Sequence, residues 1–148
     1  MASDIIVLDA SVALEWALPG NTDRHRSYAE AVLLSIVRGE VVAHAPELMA
    51  QECAYVLGKA IDKGRISVEK AQQIAQALDQ VTGNIHMGRA PFVSGALALA
   101  RRYGLAAYDA CYFDLAMYLG CSIAAIDGEI RGACARFDVP LFLSHLAA

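Results

Sequence analysis

The sequence predicts an α/β domain: a parallel sheet with helices on both faces. Three observations lead there. Short apolar runs rich in Val, Ile and Leu alternate with longer stretches of helical periodicity. Hydrophobic residues make up 57% of the 148 residues, enough for a sheet buried on both sides in one domain. The uncharged stretches 90–100 and 115–126 fall short of the roughly 20 apolar residues a membrane helix needs, so that richness is assigned to a core.

The first strand is expected at residues 5–8, a β-rich apolar run ending at Asp9. A helical turn or two over 11–18 is stopped by Pro19-Gly20. Residues 23–38 read as a helix with Tyr28, Val32 and Ile36 in its apolar stripe and Gly39 as its stop. A second short strand follows at 41–43. Pro46 is expected to open a helix through about residue 61, on which Leu48, Glu52, Tyr55 and Val56 share the buried face. Residues 67–81 form another helix; Ser67 and Lys70 do not make a full capping box, and Gly83 ends the element. Residues 85–87 read as a strand or a loop. Helices over 92–103 and 108–119 stop at Gly104 and Gly120. A buried strand over 122–126 ends at Asp127, a helix covers 128–137, and Pro140 precedes a last strand at 141–143.

On this framework four acidic residues stand in apolar contexts: Asp9 in IIVLDAS, Glu52 in APELMAQECAYVL, Asp109 in LAAYDACYFDLA and Asp127 in SIAAIDGEI. A carboxylate among apolar residues is costly to desolvate and needs a partner or a task. Open parallel sheets bind ligands beyond the carboxyl ends of their strands, where Asp9 and Asp127 fall. Several carboxylates brought together repel one another, and a hard divalent cation, Mg2+ or Mn2+, offsets that repulsion. The four are expected to converge on one such site.

Each residue also has a plainer reading. Asp9 is equally a helix N-cap, unless Ser11 caps and leaves it free. Asp109 taken alone reads better as a cap. Asp127 before Gly128 suits a strand-end turn, and Glu52 suits a boundary position. Asp114, five residues after Asp109, points away around the helix, so a salt bridge or solvent is expected there, with a flanking role as the alternative. Glu15 and Glu129 read as solvated or supporting, and Trp16 as core. It is the conjunction that carries weight.

Net charge is −4, which argues against a broad basic nucleic-acid surface but not against a nuclease with local basic groups. Arg24, His25 and Arg26, then Lys59, Lys63 and Arg65, then Arg101 and Arg102 form such groups, each most simply a solvated face. Cys53, Cys111, Cys121 and Cys134 form no C-x-x-C pair, and the N-terminus lacks the pattern of an export signal. Buried thiols rather than disulfides, and a cytoplasmic protein, are expected. His25, His44, His86 and His145 lack zinc-ligand spacing to the cysteines.

The segments VLDASVALEWALPG, PELMAQECAYVL and YDACYFDLAMYLGCSIAAIDGEI resemble the PIN-domain family, and the first two resemble the small bacterial toxins of VapBC toxin–antitoxin pairs. The resemblance runs from Ile5 to Leu143, a single domain spanning residues 1–148. It implies a three-layer α/β/α sandwich with a central, mainly parallel sheet and a metal-dependent endoribonuclease. It places Asp9, Glu52, Asp109 and Asp127 at the family's acidic positions, with Asp9, Asp109 and Asp127 on Mg2+ or Mn2+ and Ser11 and Asp114 around them. RNA as substrate, a cognate antitoxin and a homodimer also follow from it, and the short uncharged stretches lead to the expectation of no membrane association. One departure is Ala125, where the family often carries Thr or Ser. That departure and the negative charge motivate an alternative, an RNA- or protein-binding module with weak or lost catalysis. A phosphoryl-accepting Asp9 fits less well, because no Asp-x-Asp follows the strand.

Overall fold

The computed structural model describes residues 4–20 and 22–147. Its centre is a four-stranded sheet in the order β3-β2-β1-β4, built from β1 (Asp4–Leu8), β2 (Val41–Pro46), β3 (Asn84–His86) and β4 (Ser122–Ala124). Every pairing is parallel. Seven helices flank it in three layers: α1 (Ala10–Ala17), α2 (Asp23–Val37), α3 (Leu48–Asp62), α4 (Val68–Val81), α5 (Val93–Tyr103), α6 (Ala107–Leu119) and α7 (Gly128–Phe137). α6 packs across β1, β2 and β4, and α2 packs on β2.

The core follows from the central strands. Ile6, Val7 and Leu8 of β1 are buried on both faces, as a strand between two parallel neighbours and two helical layers must be. Tyr28, Val32, Tyr112, Phe113, Ile123 and Ile130 complete it. Trp16 packs against this core and donates Nε1 to the Ala29 carbonyl at 2.6 Å. Gly104 and Gly120 end α5 and α6 with φ of +64°, a conformation that glycine adopts without strain. Ser67 caps α4 by accepting from the Lys70 amide at 3.1 Å, without a capping box.

Four sequence expectations are corrected. Pro46 does not open a helix; it is the last residue of β2, held by pairing with His86 of β3, and α3 begins at Leu48. The buried stripe of α3 is Met49, Cys53, Leu57 and Ala60, a rotation that leaves Tyr55 66% exposed and Glu52 at the stripe's edge. β4 ends at Ala124 rather than residue 126, because the Ile126 amide bonds to the Ser11 hydroxyl at 3.0 Å instead of to a strand. The expected strand at 141–143 is one bridge, Ile123 to Leu141. The chain then turns at Leu143, φ +52°, as Phe142 gives its carbonyl to the Tyr28 hydroxyl at 2.8 Å.

Among the described residues no helix is long and apolar enough to cross a membrane. All four cysteines are free, with Cys53 and Cys134 buried and Cys111 and Cys121 half-buried.

Candidate active site

Four segments deliver carboxylates to the carboxyl edge of the sheet. Asp9 follows β1 directly and is the N-cap of α1: its side chain accepts from the Ser11 amide at 3.1 Å. The Ser11 hydroxyl donates to the same oxygen, Oδ2. Asp9 is therefore the cap, and Ser11 is not. The Asp9 amide also donates to the Ala124 carbonyl at 3.0 Å, locking the end of β1 to the end of β4. Asp9 is only 4% exposed.

Asp127 lies three residues beyond β4 and caps α7, accepting from the Ile130 amide at 3.0 Å. Its own amide reaches the Ser11 hydroxyl at 3.4 Å. One serine hydroxyl thus ties the Asp9 carboxylate to the backbone leading into Asp127. Glu52 comes from the second turn of α3. Asp109 lies in the first turn of α6 and does not cap it; Ala106 occupies the N-cap position with no side-chain bond.

The carboxylates feel one another's charge. Burial pushes Asp9 from an ordinary 3.8 up to about 7; Ser11's hydrogen bonds oppose this, while the charges of Asp109 and Glu52 add to it. Burial also raises Asp109 to about 6, helped by Asp127, Glu52 and Glu129. Burial raises Glu52 in the same direction. The Cys53 thiol, buried beside them, is pushed up to about 11 by desolvation and then by Glu52 and Asp9. Glu52 Oε1 is buried and has no hydrogen-bond partner. The Tyr112 hydroxyl lies near enough to hold the Glu52 pKa down somewhat, but outside hydrogen-bond geometry, so both atoms stand unsatisfied. Leaving a buried carboxylate oxygen unbonded is costly, and such a group points to a ligand it has yet to meet.

An all-oxygen donor set under mutual repulsion suits a hard divalent cation. Among the described residues, no three Asp, Glu, His or Cys side chains are close enough together to hold an ion directly. The donors are all oxygen, the type that Mg2+ and Mn2+ favour.

Other expected residues lie as follows. Asp114 makes the salt bridge that its position on the helix suggested: Arg89 Nε donates to Oδ2 at 3.0 Å and the Tyr103 hydroxyl to Oδ1 at 3.0 Å. Glu129 is exposed, and its charge reaches Asp109. Glu15 is buried at 3% exposure, contrary to the solvated reading. Ala125 is fully buried and its carbonyl accepts from Arg131 Nε at 2.8 Å. Arg89 carried no signal in the sequence, since its partner is 25 residues away. The His44–His86 contact, 2.7 Å between ring nitrogens on neighbouring strands, was equally invisible.

A family model described as PIN domain matches residues 6–134. The crystal structure of PAE2754 from Pyrobaculum aerophilum is similar to this chain with a TM-score of 0.64 and 21% identity, covering 90% of this chain and 81% of that one. At that identity the likeness speaks for the fold alone. No curated protein matches.

Proposed function

Since the chain belongs to the PIN-domain family, generally a metal-dependent nuclease fold, we propose that it is a metal-dependent endoribonuclease that hydrolyses RNA phosphodiester bonds. The observation that carries the reading is the electrostatic coupling of Asp9, Glu52, Asp109 and Asp127, brought from four segments to the carboxyl edge of one sheet. Asp9, Asp109 and Asp127 would hold Mg2+ or Mn2+. The cation supplies acidification of a water and neutralisation of charge on the phosphoryl oxygens.

The chain's own residues do the positioning. Ser11 fixes the Asp9 carboxylate through two donors and ties it to the residue 126–127 backbone. Glu52, with one oxygen free of partners, would ligate the cation or orient the attacking water. With the pKa values of Asp9 and Asp109 raised by burial, a cation would compete with protons for these carboxylates.

The toxin role, with a cognate antitoxin, a homodimer and a cytoplasmic setting, extends this reading. It is supported by the resemblance of the Asp9 and Glu52 segments to VapC-like toxins. Exposed apolar residues, Met87 at 78%, Phe92 at 75% and Val93 at 87%, leave surface for protein contact. A second reading, a binding module without turnover, is favoured by one observation: among the described residues no three donors close on an ion.

Incubation with structured and single-stranded RNA in Mg2+, Mn2+ or EDTA separates the two. Cleavage that needs metal and vanishes in Asp9→Asn supports the nuclease; saturable RNA binding with no cleavage in any metal supports the binding module. Growth arrest on expression, relieved by the neighbouring gene's product, tests the toxin role.

A further inference from the structure

Arg89 lies three residues beyond β3, on the same edge of the sheet as Asp9 and Asp127. Its guanidinium is held on two sides. Nε donates to Asp114 Oδ2 at 3.0 Å, and the planar face lies 3.8 Å from the Tyr118 ring centre. Asp114 is itself fixed by the Tyr103 hydroxyl at 3.0 Å and is almost wholly buried. The two terminal nitrogens of Arg89 have no hydrogen-bond partner among the described residues, and the side chain is 45% exposed. A fork anchored at Nε with both tips free is the arrangement that grips a phosphate bidentately.

The surroundings agree. Arg89, Phe92, Ser94, Arg102 and Asp114 line a cavity of about 380 Å3 that runs along α5 beside α6. Two arginines face one carboxylate there, a local excess of positive charge on a chain of net charge −4. Phe92, 75% exposed at its rim, offers a ring on which a base can stack. Arg89 and Asp114 also line a second hollow with Pro46, Glu47 and His86, at the carboxyl ends of β2 and β3.

We infer that Arg89 binds a backbone phosphate of the RNA strand flanking the bond to be cut, held in the cavity along α5 beside α6. This rests on the ribonuclease reading.

The test is binding of fluorescently labelled single-stranded RNA to the uncleaving Asp9→Asn protein, with and without Arg89→Ala or Arg89→Gln, across a salt series. Losing one phosphate contact should weaken binding about tenfold at low salt, uniformly across sequences, and flatten the slope of log affinity against log salt by about 0.7. Gln keeps a hydrogen bond to Asp114 without the charge, so it preserves a tether; if it restores affinity and slope, the phosphate contact is overturned. Unchanged affinity and slope in a folded Ala variant overturn it as well, while RNA binding by the parent leaves the ribonuclease reading standing. If the parent neither binds nor cuts RNA, both fall together.

Discussion

Replacing Asp9 by Asn is expected to stabilise the metal-free protein at neutral pH while removing its activity. The Asp9 carboxyl titrates near 3.8 when free and near 7 in the fold, because its ionised form is buried beside other carboxylates. The folded state therefore binds this proton more tightly than the unfolded chain. The stability it contributes is fully present below about pH 4 and is lost as pH rises through about 7. A shift of about three units corresponds to about 4 kcal/mol in all, of which about 2.5 kcal/mol falls between roughly pH 5 and pH 8.

Asn matches Asp as an N-cap and can accept from the Ser11 amide, so the end of α1 is retained. For a domain of this size about 1 kcal/mol moves Tm by about 2–4 °C. Thermal melts in EDTA between roughly pH 5 and 8 should then show the parent losing about 5–10 °C more than Asp9→Asn. Asp109 titrates in both proteins and largely cancels in the comparison. Added Mg2+ should restore much of the parent's Tm at the alkaline end and leave the variant unmoved. Parallel curves for the two proteins would refute the argument that Asp9 is held protonated by burial.

Cleavage by the parent should rise as pH climbs through about 6 and 7, since Asp109 and Asp9 must both lose protons to accept a cation, and more Mg2+ should move the midpoint to lower pH; a flat pH–rate profile over that span contradicts this. Asp127→Asn and Asp127→Ala should both be inactive, but only Ala should cost about 1 kcal/mol in denaturant unfolding, because it removes the cap on the Ile130 amide. Ser11→Ala should destabilise by about 1–3 kcal/mol, since the Ile126 and Asp127 amides lose their acceptor; it should also lower kcat more than RNA affinity, measured by single-turnover kinetics beside equilibrium binding. EDTA should abolish cleavage reversibly, with Mn2+ or Mg2+ restoring it within the time of mixing.

What the sequence determined by itself was whatever repeats locally. Alternation of apolar runs with helical stripes marked β1, β2, β4 and all seven helices, and α7 matches its expected bounds of 128–137. The ends of β1 and β4 also placed Asp9 and Asp127 on one edge, since parallel strands share a direction. Both aspartates are helix caps, because a carboxylate at a strand–helix junction meets free amides whatever else it does. Only the tertiary structure decided the rest. β3 has no buried face of its own to write a pattern, and exists by pairing with β2. The rotation of α3 depends on which helices it meets; it buries Cys53, exposes Tyr55 and leaves Glu52 Oε1 without a partner. Ser11 reaches an amide 115 residues away, and Arg89 a carboxylate 25 residues away. Such contacts follow no period along the chain, because they are set by where the sheet order and the crossing helices bring distant segments to the same edge.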